Sequence, residues 1–195
     1  MGRGFDSHGA YKKFLTEYNS DMSYPLITER LTIQPLTHAD LETFVAYRQD
    51  PEIARYQSWE PSYSKAQATE LIDSQEGVLL PGKDQWLQLA IHNRFSGELV
   101  GDLAIHSTED DHSIFEIGFT LAGKQQGQGF AKEAAQKLLA HLELQGATKF
   151  FASTDSRNTP SKKLLTALRF ELQPSKGWAE QFKGELVKVE YFETN

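Results

Sequence analysis

The feature that most constrains the fold is a pair of glycines between an apolar strand and an amphipathic helix. Gly127 and Gly129 follow the apolar segment 115–119 and lie at the start of a helical pattern over 129–144, where apolar side chains recur at four-residue spacing. Free N–H groups at the start of such a helix, its dipole and the conformational freedom of glycine favour a bound anion. A tight turn into a helix would explain the glycines equally well. The loop lacks the Gly-Lys-Ser/Thr ending of a P-loop and the third glycine of a dinucleotide fold.

The rest of the chain mixes β and α patterns. Period-two apolar alternation at 31–36, and apolar segments bounded by turn signals further along, predict seven strands, at 31–36, 86–92, 98–105, 113–121, 149–153, 170–173 and 186–192. Further helices are predicted after the capping residue Thr37, over 64–74, and after a cap at Asn158 or Thr159. This order predicts an α+β fold with one mixed, mostly antiparallel sheet of about six to seven strands flanked by helices.

Length and composition indicate one globular domain. A chain of 195 residues with 39% hydrophobic and 24% charged residues is long enough for one buried core. We predict that residues 24–195 form this domain. Residues 1–23 differ in composition and are interpreted as an N-terminal extension, either native or a remnant of expression.

Charge and residue usage exclude several classes of protein. The net charge of −7 gives no general basic surface for nucleic acid or anionic lipid, and the absence of cysteine excludes disulfides, thiolate metal sites and a cysteine nucleophile. His92, His106 and His112 lie in or beside strands without metal-site spacing, so no metal is predicted. Each could act as a base, although structural roles are favoured. No run of about 18 apolar residues or secretory signal is visible, which predicts a cytoplasmic protein with no membrane partner.

Three separated motifs carry a family resemblance. They are EIGFTL at 116–121, QGQGFAKEA at 126–134, and NTPS at 158–161 ahead of LRF at 168–170. In this order they resemble the GNAT superfamily, in particular the branch that includes the ribosomal-protein N-terminal acetyltransferases. The segment TERLTI at 28–33 also resembles the first strand of that branch. The resemblance implies a GNAT-type domain whose fourth and fifth strands splay apart, and an acetyl-CoA-dependent N-acyltransferase.

The resemblance also implies a cofactor site. The backbone of Ile117, Gly118 and Phe119 would pair with the pantetheine arm of acetyl-CoA, and the amide of Asn158 would reach the same arm. Asn158 is equally well explained as a plain helix N-cap. The pyrophosphate would lie on the glycine loop and the first helical residue, which comprise Lys124, Gln125, Gln126, Gly127, Gln128, Gly129 and Phe130.

Two positions depart from the family pattern. Lys124 stands where the family usually has Gln or Arg, which keeps a donor and a charge but loses the planar fork of arginine. Arg169 replaces the glycine of the usual Leu-Gly-Phe. The turn there is therefore expected to adopt a different backbone conformation.

The family's reaction, direct attack of an amine on a thioester, needs a base, an oxyanion donor and an acid for the thiolate. Glu116 is the first candidate base because it directly precedes the cofactor-binding backbone in an otherwise apolar segment. The alternative is a solvated face of the sheet. Glu180 is the second candidate, in a predicted loop before the last strand, where the alternative is a solvated loop acid. No tyrosine follows Asn158 on its helix, so Ser161 is the hydroxyl available to protonate the thiolate, directly or through water.

The acceptor stays open at this stage. The leading hypothesis is the α-amine of a protein or peptide, with a small-molecule amine as the nearest alternative and a non-catalytic acyl-CoA-binding module as another. Segments 57–77 and 173–185, which would shape the acceptor pocket, carry no recognisable motif. The oligomeric state also stays open, and a homodimer is suggested only by resemblance to a family whose members often dimerise.

Overall fold

The computed structural model describes residues 23–194. The predicted N-terminal extension, residues 1–23, therefore lies outside the described residues except for residue 23. Within them the chain forms a nine-stranded sheet of order β1-β2-β3-β4-β5-β6-β9-β7, with β8 paired to β9. The strands are β1 (Leu26–Ile27), β2 (Leu31–Pro35), β3 (Trp86–Asn93), β4 (Leu99–Ser107), β5 (Ile114–Leu121), β6 (Lys149–Asp155), β7 (Glu171–Leu172), β8 (Trp178–Phe182) and β9 (Glu185–Glu193). All seven predicted strands are present, and β1 and β8 are additional.

Five α-helices flank the sheet in the described part of the chain. They are α1 (Leu41–Arg48), α2 (Pro51–Ala54), α3 (Lys65–Ser74), α4 (Phe130–Leu144) and α5 (Thr159–Ala167). Helix α2 was not predicted, although its start carries standard signals. Asp50 caps it by accepting the Glu52 N–H at 2.9 Å, and Pro51 occupies its first turn.

Each face of the sheet buries its own apolar cluster. One face packs against α4 and α5, where Phe115, Leu138 and Phe150 are almost fully buried. The other face packs against α1, α2 and α3 around Phe44 and Ala68, which are completely buried. The site therefore has to lie at an edge or a gap of the sheet, because both faces are largely covered.

That gap is the divergence of β5 and β6. The two strands run parallel, and only residues Ile114 to Glu116 of β5 pair with Lys149 to Phe151 of β6. Beyond Glu116, β5 continues to pair with β4 on its other side. The splay expected between the strands at 113–121 and 149–153, which are β5 and β6, is confirmed. It leaves one edge of residues 117–121 available to a ligand.

The strand β8 corrects one prediction. Glu180 was expected in a loop, but it pairs with Val187 in the hairpin formed by β8 and β9. The two turn residues, Lys183 and Gly184, have φ angles of 50° and 82°. Positive φ at both positions is what a two-residue hairpin turn requires, and Lys-Gly is a weaker sequence signal for it than Asn-Gly.

Arg169 corrects a second prediction. Its φ is 68°, so it adopts the left-handed conformation that glycine would have, and its N–H donates to the Thr166 carbonyl at 3.0 Å beyond the end of α5. The backbone of the family's glycine turn is therefore kept.

We expect Arg169→Gly to raise the free energy of unfolding by about 0.5–1 kcal/mol, because the left-handed conformation costs a side-chain-bearing residue roughly 1–2 kcal/mol and part of that gain is offset by glycine's entropy. Denaturant unfolding would measure the change. Arg169→Ala is the control, since it removes the guanidinium but keeps Cβ. Equal gains in both variants would attribute the effect to the side chain and not to the backbone.

No helix among residues 23–194 has both the length and the apolar character needed to cross a membrane.

Candidate active site

A cavity of about 740 Å³ lies at the divergence of β5 and β6. Its walls come from four parts of the chain: the splayed end of β5, the glycine loop with the start of α4, β6 with the start of α5, and the segment around α2. The lining residues are Asp50, Glu52, Ile53, Tyr56, Gln57, 117–121, Gly123, Gln126, Gly127, 129–132, 152–154, Asn158, Pro160, Ser161 and Leu164. The cavity therefore connects the start of α4 with the opposite side of the sheet.

The glycine loop presents an uncapped helix start to this cavity. Gly127 and Gly129 have φ angles of 74° and 81°, and Gly129 is the N-cap of α4 with no side-chain cap hydrogen bond. A Cβ at Gly127 would meet no atom within 4 Å, so its positive φ and not a lack of space requires glycine there. The N–H groups of the first turn and the helix dipole fit a phosphate group.

The other predicted loop residues divide between the cavity and the outside. Gln126 and Phe130 line the cavity. Lys124, Gln125 and Gln128 do not contribute to its lining and are exposed or half-buried. Gln128 instead braces the loop, because its Nε2 donates to the Lys124 carbonyl at 3.1 Å.

Asn158 caps α5 and also lines the cavity. Its Oδ1 accepts the Ser161 N–H at 3.2 Å. The cap uses the oxygen, so the amide –NH₂ is the group that can donate to a ligand. Ser161 lines the same part of the cavity.

Glu116 does not line the cavity, but it is hydrogen-bonded to a residue that does. Its Oε1 accepts from the hydroxyl of Ser153 at 3.1 Å, and Ser153, not Glu116, lines the cavity. Its Oε2 lies 3.4 Å from Nδ1 of His106, a buried nitrogen with no hydrogen-bond partner in the described structure. The His106 ring stacks on Trp86, with centroids 4.8 Å apart. A carboxylate in this position can take a proton from the cavity through the Ser153 hydroxyl.

A family model described as an acetyltransferase (GNAT) domain matches residues 30–171, which include the splayed strands, the glycine loop and Asn158. The chain belongs to the GNAT acetyltransferase family. It is therefore an N-acyltransferase, and the resemblance seen in the sequence is confirmed at the level of the family.

Individual relatives of this GNAT acetyltransferase agree with that assignment. An uncharacterised N-acetyltransferase named p20, from Bacillus licheniformis, is 29% identical over 168 residues, which cover 86% of this chain and 93% of the relative. Spermidine N-acetyltransferase from Vibrio cholerae, in complex with CoA and spermine, has a TM-score of 0.72 at 18% identity, over 85% of this chain and 95% of that one. RimL, a ribosomal-protein α-N-acetyltransferase in complex with coenzyme A, has a TM-score of 0.71 at 16% identity, over 87% of this chain and 97% of that one. At such identities the two structures show a shared fold alone.

Glu180 is not brought to the cavity of this GNAT domain. Its exposed carboxylate accepts from Trp178 Nε1 at 2.8 Å on β8, and it contributes nothing to the lining. The geometry therefore separates the two carboxylates that the sequence predicted as bases, and only Glu116 connects to the cavity.

The β8–β9 hairpin instead supports the wall of the cavity. At its tip, Lys183 Nζ donates to the carbonyl of Ala54, the last residue of α2, and to that of Trp59, in the segment that follows. Trp59 in turn packs on Arg48, whose guanidinium carbon is 3.8 Å from the Trp59 ring centroid. These contacts fix the segment that carries Tyr56 and Gln57 into the cavity.

Ser153 and His106 are functional candidates that sequence reasoning missed or set aside. His106 is the cross-strand partner of Glu116, and Ser153 lies two residues beyond Phe151, the parallel partner of Glu116. The alternation of β6 signals that Phe151 and Ser153 share a face. Only the parallel register, which local sequence does not encode, places that face beside Glu116.

Proposed function

We propose that the protein transfers an acetyl group from acetyl-CoA to a primary amine, with the N-terminal α-amine of a protein or peptide as the acceptor. The observation that carries the proposal is the cavity itself. It runs from the uncapped start of α4, through the divergence of β5 and β6, to the hydroxyl that contacts Glu116.

The donor side fits coenzyme A. The free edge of residues 117–119 offers backbone donors and acceptors for the amides of the pantetheine arm, and the start of α4 offers N–H groups for the pyrophosphate. Asn158 adds an amide donor beside the same part of the cavity. The two structurally similar enzymes with CoA bound support this choice of donor.

The acceptor side supplies the proton transfers. Glu116 accepts a proton from the ammonium group through Ser153, whose own hydroxyl proton passes to Glu116 as the amine proton passes to Ser153 Oγ. The neutral amine then attacks the thioester carbonyl carbon, and an N–H of β5 stabilises the charge that develops on oxygen. As the carbon–sulfur bond breaks, Ser161 protonates the departing thiolate directly or through water. The second proton of the attacking nitrogen replaces the proton that Ser161 gives up, and Glu116 releases its own proton to solvent.

One observation suits any cationic acceptor, and a second favours an α-amine. Asp50 and Glu52 line the cavity near α2, which suits a cationic acceptor. Glu116 is reached through a hydroxyl and not directly, an arrangement suited to an acceptor that loses its proton easily. An α-amine has a pKa of about 7.7–8.0, against about 10.4 for a lysine side chain.

A small polyamine is the second candidate acceptor. The same pair of carboxylates could hold a second cationic group, and the spermidine N-acetyltransferase shares the fold. The branch of ribosomal-protein acetyltransferases, a homodimer and a cytoplasmic location stay predictions.

The test measures CoA release by the purified protein from acetyl-CoA with three sets of acceptors: peptides with a free α-amine, the same peptides with the α-amine blocked and an internal lysine retained, and polyamines. We expect turnover with the first set alone. Turnover confined to polyamines would support the small-molecule alternative. Acetyl-CoA binding without turnover for any acceptor would favour a non-catalytic binding module.

A further inference from the structure

Arg30, in the turn between β1 and β2, joins two sequence motifs that lie 103 residues apart. Its Nε donates to Glu133 Oε2 at 2.7 Å, and its Nη2 lies 2.7 Å from the same oxygen. Its backbone N–H donates to Glu133 Oε1 at 3.0 Å. The first-strand motif and the first turn of α4 are therefore held together by both oxygens of one carboxylate.

Glu133 is surrounded by donors. Besides Arg30, the hydroxyl of Thr28 donates to its Oε1 at 2.6 Å. Burial alone would raise the pKa of Glu133, but the hydrogen bonds from Thr28 and Arg30 outweigh burial and lower it. Glu133 is therefore ionised at neutral pH, near the end of α4 that the proposed function assigns to the pyrophosphate.

The Arg30 guanidinium also touches the glycine loop directly. Its Nη1 donates to the Gln128 carbonyl at 3.0 Å, and its Cζ lies 4.7 Å from the centroid of the Phe130 ring. A Cβ on Gly129 would lie 3.5 Å from Nη2. One side chain thus contacts Gln128 and Phe130, the residues on either side of the helix N-cap Gly129.

We infer that Arg30 and Glu133 are positioning residues for the cofactor pyrophosphate, an inference that rests on the proposed function. Arg30 fixes the Gln128 carbonyl, and with it the direction of the N–H groups that follow. It also neutralises Glu133, whose charge would otherwise stand bare about 6 Å along the helix from Gly129 and repel the phosphates. Glu133 in return holds the guanidinium against the loop.

The decisive experiment compares two donors. Acetyl-pantetheine lacks the pyrophosphate, so Arg30→Ala is expected to raise KM for acetyl-CoA about tenfold and to leave both kcat and the KM for acetyl-pantetheine unchanged. Adding Glu133→Gln to Arg30→Ala is expected to recover part of the loss, because it removes the bare carboxylate. Arg30→Lys, which keeps the charge but not the fork, should fall between wild type and Arg30→Ala.

A matched control is available in Arg94→Ala. Arg94 lies in the turn between β3 and β4, and its Nη1 donates to the Thr28 carbonyl at 3.3 Å, so this variant removes another arginine that contacts the same β1–β2 turn. It should keep the wild-type KM for both donors. Thermal melting of every variant checks folding, and if Arg30→Ala does not fold, Arg30→Lys and Glu133→Gln carry the same comparison.

Three results would overturn the inference. Equal rises in KM for both donors would mean general damage to the fold. A double variant no better than Arg30→Ala would mean that Arg30 does not act by neutralising Glu133. An unchanged KM for acetyl-CoA in Arg30→Ala, while calorimetry shows that wild type binds acetyl-CoA, would reject this inference and leave the proposed function standing. Absence of acetyl-CoA binding to wild type would reject the proposed donor instead.

Discussion

Glu116→Gln is expected to lower kcat for amine acetylation by a factor of about 10²–10⁴, the usual contribution of a general base, while acetyl-CoA affinity stays unchanged. The amide is nearly isosteric and can still accept from Ser153 at the position of Oε1, so the fold around β5 should persist. What it loses is the ability to take the ammonium proton. Steady-state kinetics together with calorimetric titration of acetyl-CoA would separate the two effects.

The pH dependence of this variant identifies the acceptor as well. Once the acceptor amine deprotonates in solution, no base is needed, so activity of Glu116→Gln should recover as pH rises through the acceptor's own pKa. Recovery centred near pH 8 indicates an α-amine, and recovery only above pH 10 indicates a lysine-type amine. A wild-type rate in Glu116→Gln at neutral pH would contradict its assignment and direct attention to His106.

Two further variants isolate the path of the proton. Ser153→Ala should reduce kcat about tenfold or more, because the hydroxyl between the cavity and Glu116 is lost, whereas Ser153→Thr keeps a hydroxyl and should retain most activity. Glu180→Gln is the matched carboxylate control, since Glu180 lies on β8 away from the cavity lining. A larger loss in Glu180→Gln than in Glu116→Gln would reverse the order of the two candidates.

Local sequence patterns account for the donor half of the site. Short runs of consecutive residues identify three of its features, which are the glycine loop, the N-cap at Asn158 and Glu116 ahead of the free edge of β5. In the structure the loop and Asn158 line one cavity, and Glu116 is one hydrogen bond from it. The splay itself was predicted through the family resemblance that these motifs carry. Short-range signals suffice wherever backbone geometry is the functional property.

The rest of the site depends on contacts between distant residues. Ser153 meets Glu116 only through the parallel pairing of β5 with β6, and Arg30 meets Glu133 only because α4 packs beside β2. The β8–β9 hairpin was missed for a local reason, since Lys-Gly is a poor turn signal. Register and packing are properties of the assembled sheet, which no window of the sequence contains.

Arg48 and Asp102 are another pair that only the assembled fold brings together, because neither residue stands out in its own segment. Both are almost fully buried, with Arg48 Nη2 3.7 Å from Asp102 Oδ2. Asp102 also accepts from the hydroxyl of Tyr47 and, at 2.8 Å, from Gln88 Nε2. Burial, followed by the charge of Asp102, raises the pKa of Tyr47 well above its ordinary value, so this hydroxyl stays a donor.

Asp102→Ala is therefore expected to lower the free energy of unfolding by roughly 3–5 kcal/mol, because it leaves the Arg48 charge and two donors buried without their acceptor. Denaturant unfolding measures the loss. Asp102→Leu combined with Arg48→Met is the control: removing both charges together should cost much less than Asp102→Ala. A double variant as unstable as Asp102→Ala would mean that the lost hydrogen bonds and packing, and not the bare charge, dominate.

Because the Arg48 carbonyl accepts from Trp59 Nε1 at 3.1 Å, Asp102→Ala should also loosen the segment after α2 and raise the KM for the acceptor more than that for acetyl-CoA.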